Sequence, residues 1–221
     1  SEGVAVIITS AATADIDQSY QAIAGADGTG ENLTLMAGNN AASTITVAGT
    51  ITNIDTLAIT DAGIVNFNAA VTVDTLTIPT AVNNVSMIGG GTITDAVTFA
   101  NVGTLSIGAA GLTTNFTGGL TAVTQADGVA AISLRGNIVT SEDQITLGTA
   151  AKKIRLLGDT VINTAGAGAI NLNGAISGVL AGGGDDLTIN TTGVVTIAGA
   201  MTEVVELTTN AGGSTVLSNG N

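Results

Sequence analysis

The sequence predicts an all-β fold, a right-handed parallel β-helix (a β-solenoid) of about ten irregular rungs. Three observations predict it. Short strands alternating an apolar residue with Thr, Ser or Asn recur from end to end. The apolar residues they offer are small and aliphatic. Gly and Asn punctuate the gaps between them. The 221 residues include 31 Gly, one Pro and no Trp, and the aromatics are one Tyr and three Phe. A globular core of this size ordinarily leans on large rings, each burying a large area. This chain must instead bury its surface with Val, Ile, Leu and Ala stacked many times over. Thr and Val favour strands, and the helix formers Glu, Lys, Arg and Gln are scarce.

Taken in order, residues 1–30 read as an N-terminal strand and cap, and residues 31–221 as the solenoid. Val4, Val6, Ile7 and Ile8 lie in the most concentrated β-branched run. Two readings of it stay open: a rung that shields the first open edge, or a strand donated to a neighbouring subunit. Residues 11–26 are expected to hold a short helix or an irregular cap. Beyond them, segments 32–35, 44–47, 55–59, 74–78 and 103–107 carry the period-two pattern, and it returns at 131–134, 144–147, 169–172, 186–189 and 194–197. Such alternation makes one face apolar.

The apolar leaders Leu33, Leu57, Leu76, Leu105, Ile132, Ile154, Ile170, Leu187 and Val205 are 16 to 29 residues apart. An irregular period near twenty marks a solenoid. The gaps leave room for further short strands, at 50–52, 64–67, 96–99 and 114–117. One rung cannot bury its apolar side alone, whereas stacked rungs join theirs into continuous columns. At ~4.8 Å per rung the result is a rod of about 50 Å. The alternative is a β-sandwich, which also shows many short strands with turn signals. Against it stand the scarcity of aromatic anchors and of hairpin dipeptides, for which Asp27-Gly28 and Asp127-Gly128 are the main internal candidates.

The cadence of residues 32–38 and 44–53, and of 101–108 and 114–119, resembles the passenger-domain repeats of bacterial autotransporters. The nearest likeness in style is to rickettsial outer-membrane-protein-B-like surface antigens and S-layer-like proteins. The resemblance covers most of the chain and is one of composition and cadence, with no diagnostic motif. It implies a secreted β-helix displayed on the bacterial surface, outer membrane associated, serving in adhesion or as a protective coat. That family also carries a C-terminal translocator barrel. Residues 217–221 lack the aromatic-terminated strands of one, so barrel removal or another export route is expected. The start at Ser1, with no basic leader, reads as a mature or excised product.

Composition excludes several chemistries. With no Cys and no His, thiol and imidazole catalysis and disulfide staples are ruled out. Four Lys and Arg against 17 Asp and Glu give a net charge of −13, which leaves no broad basic surface for nucleic acid. No apolar run is long enough to span a bilayer. The four cations Arg135, Lys152, Lys153 and Arg155 fall in one window. Lys153 and Arg155 flank Ile154 and are expected to point outward. They read either as a solvated face paired with Glu142, Asp143 and Asp159, or as a patch docking on an acidic surface of another copy.

Residues 27–35 and 182–189 partly echo the Gly/Asp calcium nonapeptide, which needs adjacent turns to supply its oxygens. Asp15, Asp17, Asp185 and Asp186 are therefore weak calcium candidates, with ordinary turns as the bland reading. Asp185 and Asp186 are the one adjacent Asp pair, but neighbours on a strand point to opposite faces, so joint acid–base action is disfavoured and no catalytic residues are assigned. Outward Thr rows raise ice binding, which the lack of an in-register Thr-x-Thr spacing argues against. The expected role is non-catalytic and structural, a subunit assembling with other copies into an extracellular filament, coat or surface layer. The alternative is an adhesin passenger that binds host or neighbouring-cell receptors.

Overall fold

The computed structural model describes residues 5–10, 15–18, 22–26, 30–38, 40–179, 184–210 and 212–218. Val4 lies outside them, as do residues 27–29 and 182–183 of the two calcium-like segments. Among the described residues every regular element is a β-strand, and the strands pair in parallel from the first, Ala5–Thr9 on Asn32–Gly38, to the last, Ser214–Leu217 on Val194–Ile197. Parallel pairing throughout excludes the antiparallel layers of a sandwich. Of the short helix or irregular cap expected within residues 11–26, the part described forms no helix. Ile16–Gln18 and Ile23–Ala24 are strands, because each finds a parallel partner in the next turn.

Each turn crosses three faces. On the first face one inward column runs Val6, Leu33, Leu57 and Leu76, and continues through Val97, Leu120, Ile145, Ile170, Val195 and Thr215. On the second, Ile16, Ile45, Val65, Val85, Leu105, Ile132, Ile154, Ile176 and Met201 lie one above another. On the third, Ile23, Ile51 and Val71 lead through Gly91 and Thr114 to Ile138, Ile162 and Ile189. About eight complete turns lie between Asn32 and Ser214, preceded by the strands of residues 5–24. With ten strands on the first face among the described residues, the coil comes close to the ten rungs expected.

The period-two pattern explains the packing. Along Thr44–Val47 the inward Ile45 and Val47 are buried and the outward Thr44 and Thr46 half-buried. The same alternation holds in Asp185–Asn190 and Ile145–Leu147. The buried inward residues join one continuous core along the coil. Its largest members, Phe67, Phe99 and Phe116, are fully buried in the middle of the stack. Phe99 from the first face meets Phe116 from the third edge to face, ring centroids 5.9 Å apart.

The chain rounds its corners with little loop. Ile51–Phe67 is 17 residues of continuous strand that crosses all three faces. Turn length on the first face varies from 19 residues, Leu57 to Leu76, to 27, Val6 to Leu33. The leaders read from sequence mix faces. Leu105, Ile132 and Ile154 belong to the second face, and Leu187 to the third. Val205 is no core leader at all: it sits beside a register shift in the last third-face strand and is 65% exposed.

Candidate assembly surfaces

The four cations come together as one island. Ile154 is buried in the second face, which turns Lys153 and Arg155 outward as expected. Arg155 lies in the outward row between Ser133 and Ser177 of the adjoining turns. Lys153 borders a shallow groove with Ser177 and Thr202. Arg135, one turn earlier, drapes over Gly158, where an added Cβ would come within 2.7 Å of its Nε. Lys152 donates to Asp127 Oδ1 at 2.7 Å. Of the acidic residues expected to pair with Lys153 and Arg155, Glu142 packs against Gly166, Asp143 against Gly168, and Asp159 Oδ1 accepts the Asp186 N–H.

An acidic column stands at the corner between the third and first faces. Glu31, Asp55, Asp74 and Asp95 each precede a first-face strand and occupy equivalent places in four successive turns. The Asp55 N–H donates to the Glu31 carbonyl, and the Asp95 N–H to that of Asp74. Further along the column come Gly118, Asp143, Gly168, Gly193 and Gly213, in contact from one turn to the next. Sequence reading missed this ladder, although its signal is visible: Asp55-Thr-Leu57 and Asp74-Thr-Leu76 repeat the same tripeptide.

The calcium candidates are dispersed. Asp15 Oδ1 accepts the Thr44 N–H and so ties the first turn to the second, while Asp17 faces outward in the strand that follows. Asp185 is buried and its Oδ2 accepts the Val179 N–H. Asp186 points the other way, its strand alternating as the sequence required. Among the described residues no three acidic side chains converge on a point that could hold a metal ion.

Val6, Ile7 and Ile8 belong to the first rung, paired in parallel with residues 32–36 of the same chain. That rung covers Leu33 and Leu35, which are buried, while its own residues stay exposed. An apolar recess opens beside it, lined by Val6, Ile8, Ile23, Leu33 and Ile54. No helix among the described residues is long and apolar enough to cross a membrane.

The fold and these surfaces define a parallel β-solenoid with charge sorted by face. Comparison with known protein families, characterised proteins and solved structures finds no match.

Proposed function

We propose that the chain is a non-catalytic structural protein of a bacterial cell surface, a subunit that assembles with its own kind into an extracellular coat, layer or filament. One observation carries this reading. The basic island lies on the second face, and the acidic column lies at the vertex opposite it in a three-sided coil, several turns away along the axis. Two complementary surfaces on opposite sides of one molecule make a head-to-tail contact, which propagates without closing. In a chain of net charge −13, a local cluster of cations is the natural landing site for a neighbour's carboxylates. The continuous aliphatic core supplies the stiffness such a subunit needs.

The test is negative-stain microscopy and sedimentation at low salt, comparing the native chain with Lys153→Glu/Arg155→Glu. Ordered sheets or fibres of the native chain, lost on charge reversal, are expected. Unchanged assembly after reversal would remove the charge contact. Dispersed short rods that adhere to cells would favour the adhesin passenger instead.

A further inference from the structure

The first face has a property the other two lack. Its strands, with the residues flanking them, occupy positions 5–9, 32–36, 56–60, 75–79, 96–100, 119–123, 144–148, 169–173, 194–198 and 214–218. Charged residues are 10% of the chain, yet none occurs at any of these positions, and Asp61, in register with Met36 beyond a bulge at Thr60, is the one carboxylate at the edge where these strands end. The second face, by contrast, carries Asp17, Lys153 and Arg155, and the third Glu206. Down the centre of the first face the outward column reads Thr77, Thr98, Thr121 and Thr146 in consecutive turns. Small residues such as Ala96, Gly119 and Ala169 flank it, and outward Ile7 and Val194 are 68% and 45% exposed.

We propose that this face is the contact surface for a second copy of the chain, the two coils meeting first face against first face. The proposal deepens the structural reading above, on whose self-association it rests, while using none of the charged groups that carry that reading. Three arguments select a second copy. First, a strongly acidic chain repels its own kind, and the middle of this face carries no charge. Second, ten strands ~4.8 Å apart and about five residues wide present roughly 700 Å², close to the ~800 Å² per partner of a specific contact. Third, short side chains allow two sheets to pack at the usual ~10 Å without trimming or unpaired charge.

A two-fold axis lying in the plane between the faces relates the two copies. The contact is then isologous, and it closes as a dimer.

Sedimentation at about 0.5 M NaCl tests this, because screening within a few ångströms silences the charge contact. The native chain is expected to be a dimer there, and Thr98→Arg/Thr121→Arg a monomer that melts as the native chain does. The sequence has no Cys, so single cysteines give a second readout that does not depend on the arginine variant folding. With a bismaleimide of ~10 Å span, matched to the sheet spacing, Thr121→Cys should cross-link to a dimer and Ser106→Cys on the second face should not. A monomeric native chain at high salt, a dimeric arginine variant, or equal cross-linking at both cysteines overturns the proposal. So does a monomer that depresses the freezing point of water, which would assign the Thr column to ice. Low-salt fibres with a high-salt monomer would sink this contact alone. A high-salt dimer whose low-salt assembly ignores Lys153→Glu/Arg155→Glu would sink only the charge contact.

Discussion

Thr94 donates its hydroxyl to Asp74 Oδ1 across one turn at 2.9 Å, and Thr75 returns the bond to Asp95. The two carboxylates are neighbours in the acidic column, so each hydroxyl satisfies a charge that its neighbour repels. At rung spacing the repulsion is of order 1 kcal/mol in a water-like dielectric. Asp74→Asn keeps the acceptor oxygen and removes the charge. It should raise stability by up to about 1 kcal/mol at low salt, and the gain should vanish near 0.5 M salt as screening takes over. Urea midpoints at the two ionic strengths check this. A gain that persists at high salt would show that something other than repulsion was relieved.

Gly91 and Gly111 both have positive φ, +115° and +73°, but only one is crowded. A Cβ on Gly91 would lie 2.1 Å from the Val71 carbonyl oxygen, in the backbone of the preceding turn, whereas nothing lies within 4 Å of one on Gly111. Gly111→Ala should cost about 1–2 kcal/mol, the strain of a left-handed backbone alone. Gly91→Ala must also push two paired strands apart, and should cost more than about 4 kcal/mol. Denaturant unfolding of the pair separates conformational strain from steric exclusion, and equal losses would contradict the close approach.

The fold class is legible in the sequence, because period-two segments and an aliphatic interior leave few other ways to bury surface. The outward direction of Lys153 and Arg155 follows from the same alternation around Ile154. Face assignment is not legible. All three faces share one apolar-x-apolar signature, so Leu76 of the first face and Leu105 of the second have the same kind of neighbours in sequence. Only pairing distinguishes them, and turn lengths of 19 to 27 residues hide the pairing. The acidic column and the charge-poor face are properties of that register. They emerge once Glu31, Asp55, Asp74 and Asp95 are known to stack. Between the short helix and the irregular cap expected at residues 11–26, the described part forms no helix, because local composition takes no account of the parallel partners that Ile16 and Ile23 find one turn on.

Phe116 offers a test of the core. It is fully buried, it touches Phe99 edge to face with planes 85° apart, and small aliphatic residues surround the pair in the stack. Phe116→Ala removes a ring that neighbouring rungs cannot collapse to replace, so a loss of about 3–5 kcal/mol is expected. A double-mutant cycle with Phe99→Leu should show a coupling of about 0.5–1.5 kcal/mol from the ring contact. Because each rung touches only its neighbours, hydrogen exchange should rise around residues 93–122 before it rises at either end. Uniform loss of protection along the coil would mean that the solenoid unfolds as one unit.

Asn101 and Gln125 form a polar insert inside the corner between the first and second faces, both buried. Asn101 Nδ2 donates to the carbonyls of Asn83 and Thr104 at 2.9 and 3.0 Å, bridging two turns. Gln125 Nε2 donates to the Phe99 carbonyl at 2.9 Å and to Asn101 Oδ1 at 3.1 Å, while its Oε1 is buried with no protein partner. The two amides therefore differ in worth. Asn101→Leu breaks three hydrogen bonds at once, two that Asn101 donates and one that it accepts from Gln125; the Asn83 and Thr104 carbonyls keep the Gly103 and Val85 N–H groups, and each bond lost costs about 1 kcal/mol. Gln125→Met loses its own donors but also removes the desolvated Oε1, and the two effects offset. Asn101→Leu should therefore destabilise by about 3 kcal/mol or more and Gln125→Met by roughly 1 kcal/mol, read from urea unfolding at neutral pH. A larger loss for Gln125→Met than for Asn101→Leu would mean that Oε1 is satisfied by ordered water and that Gln125 anchors the corner.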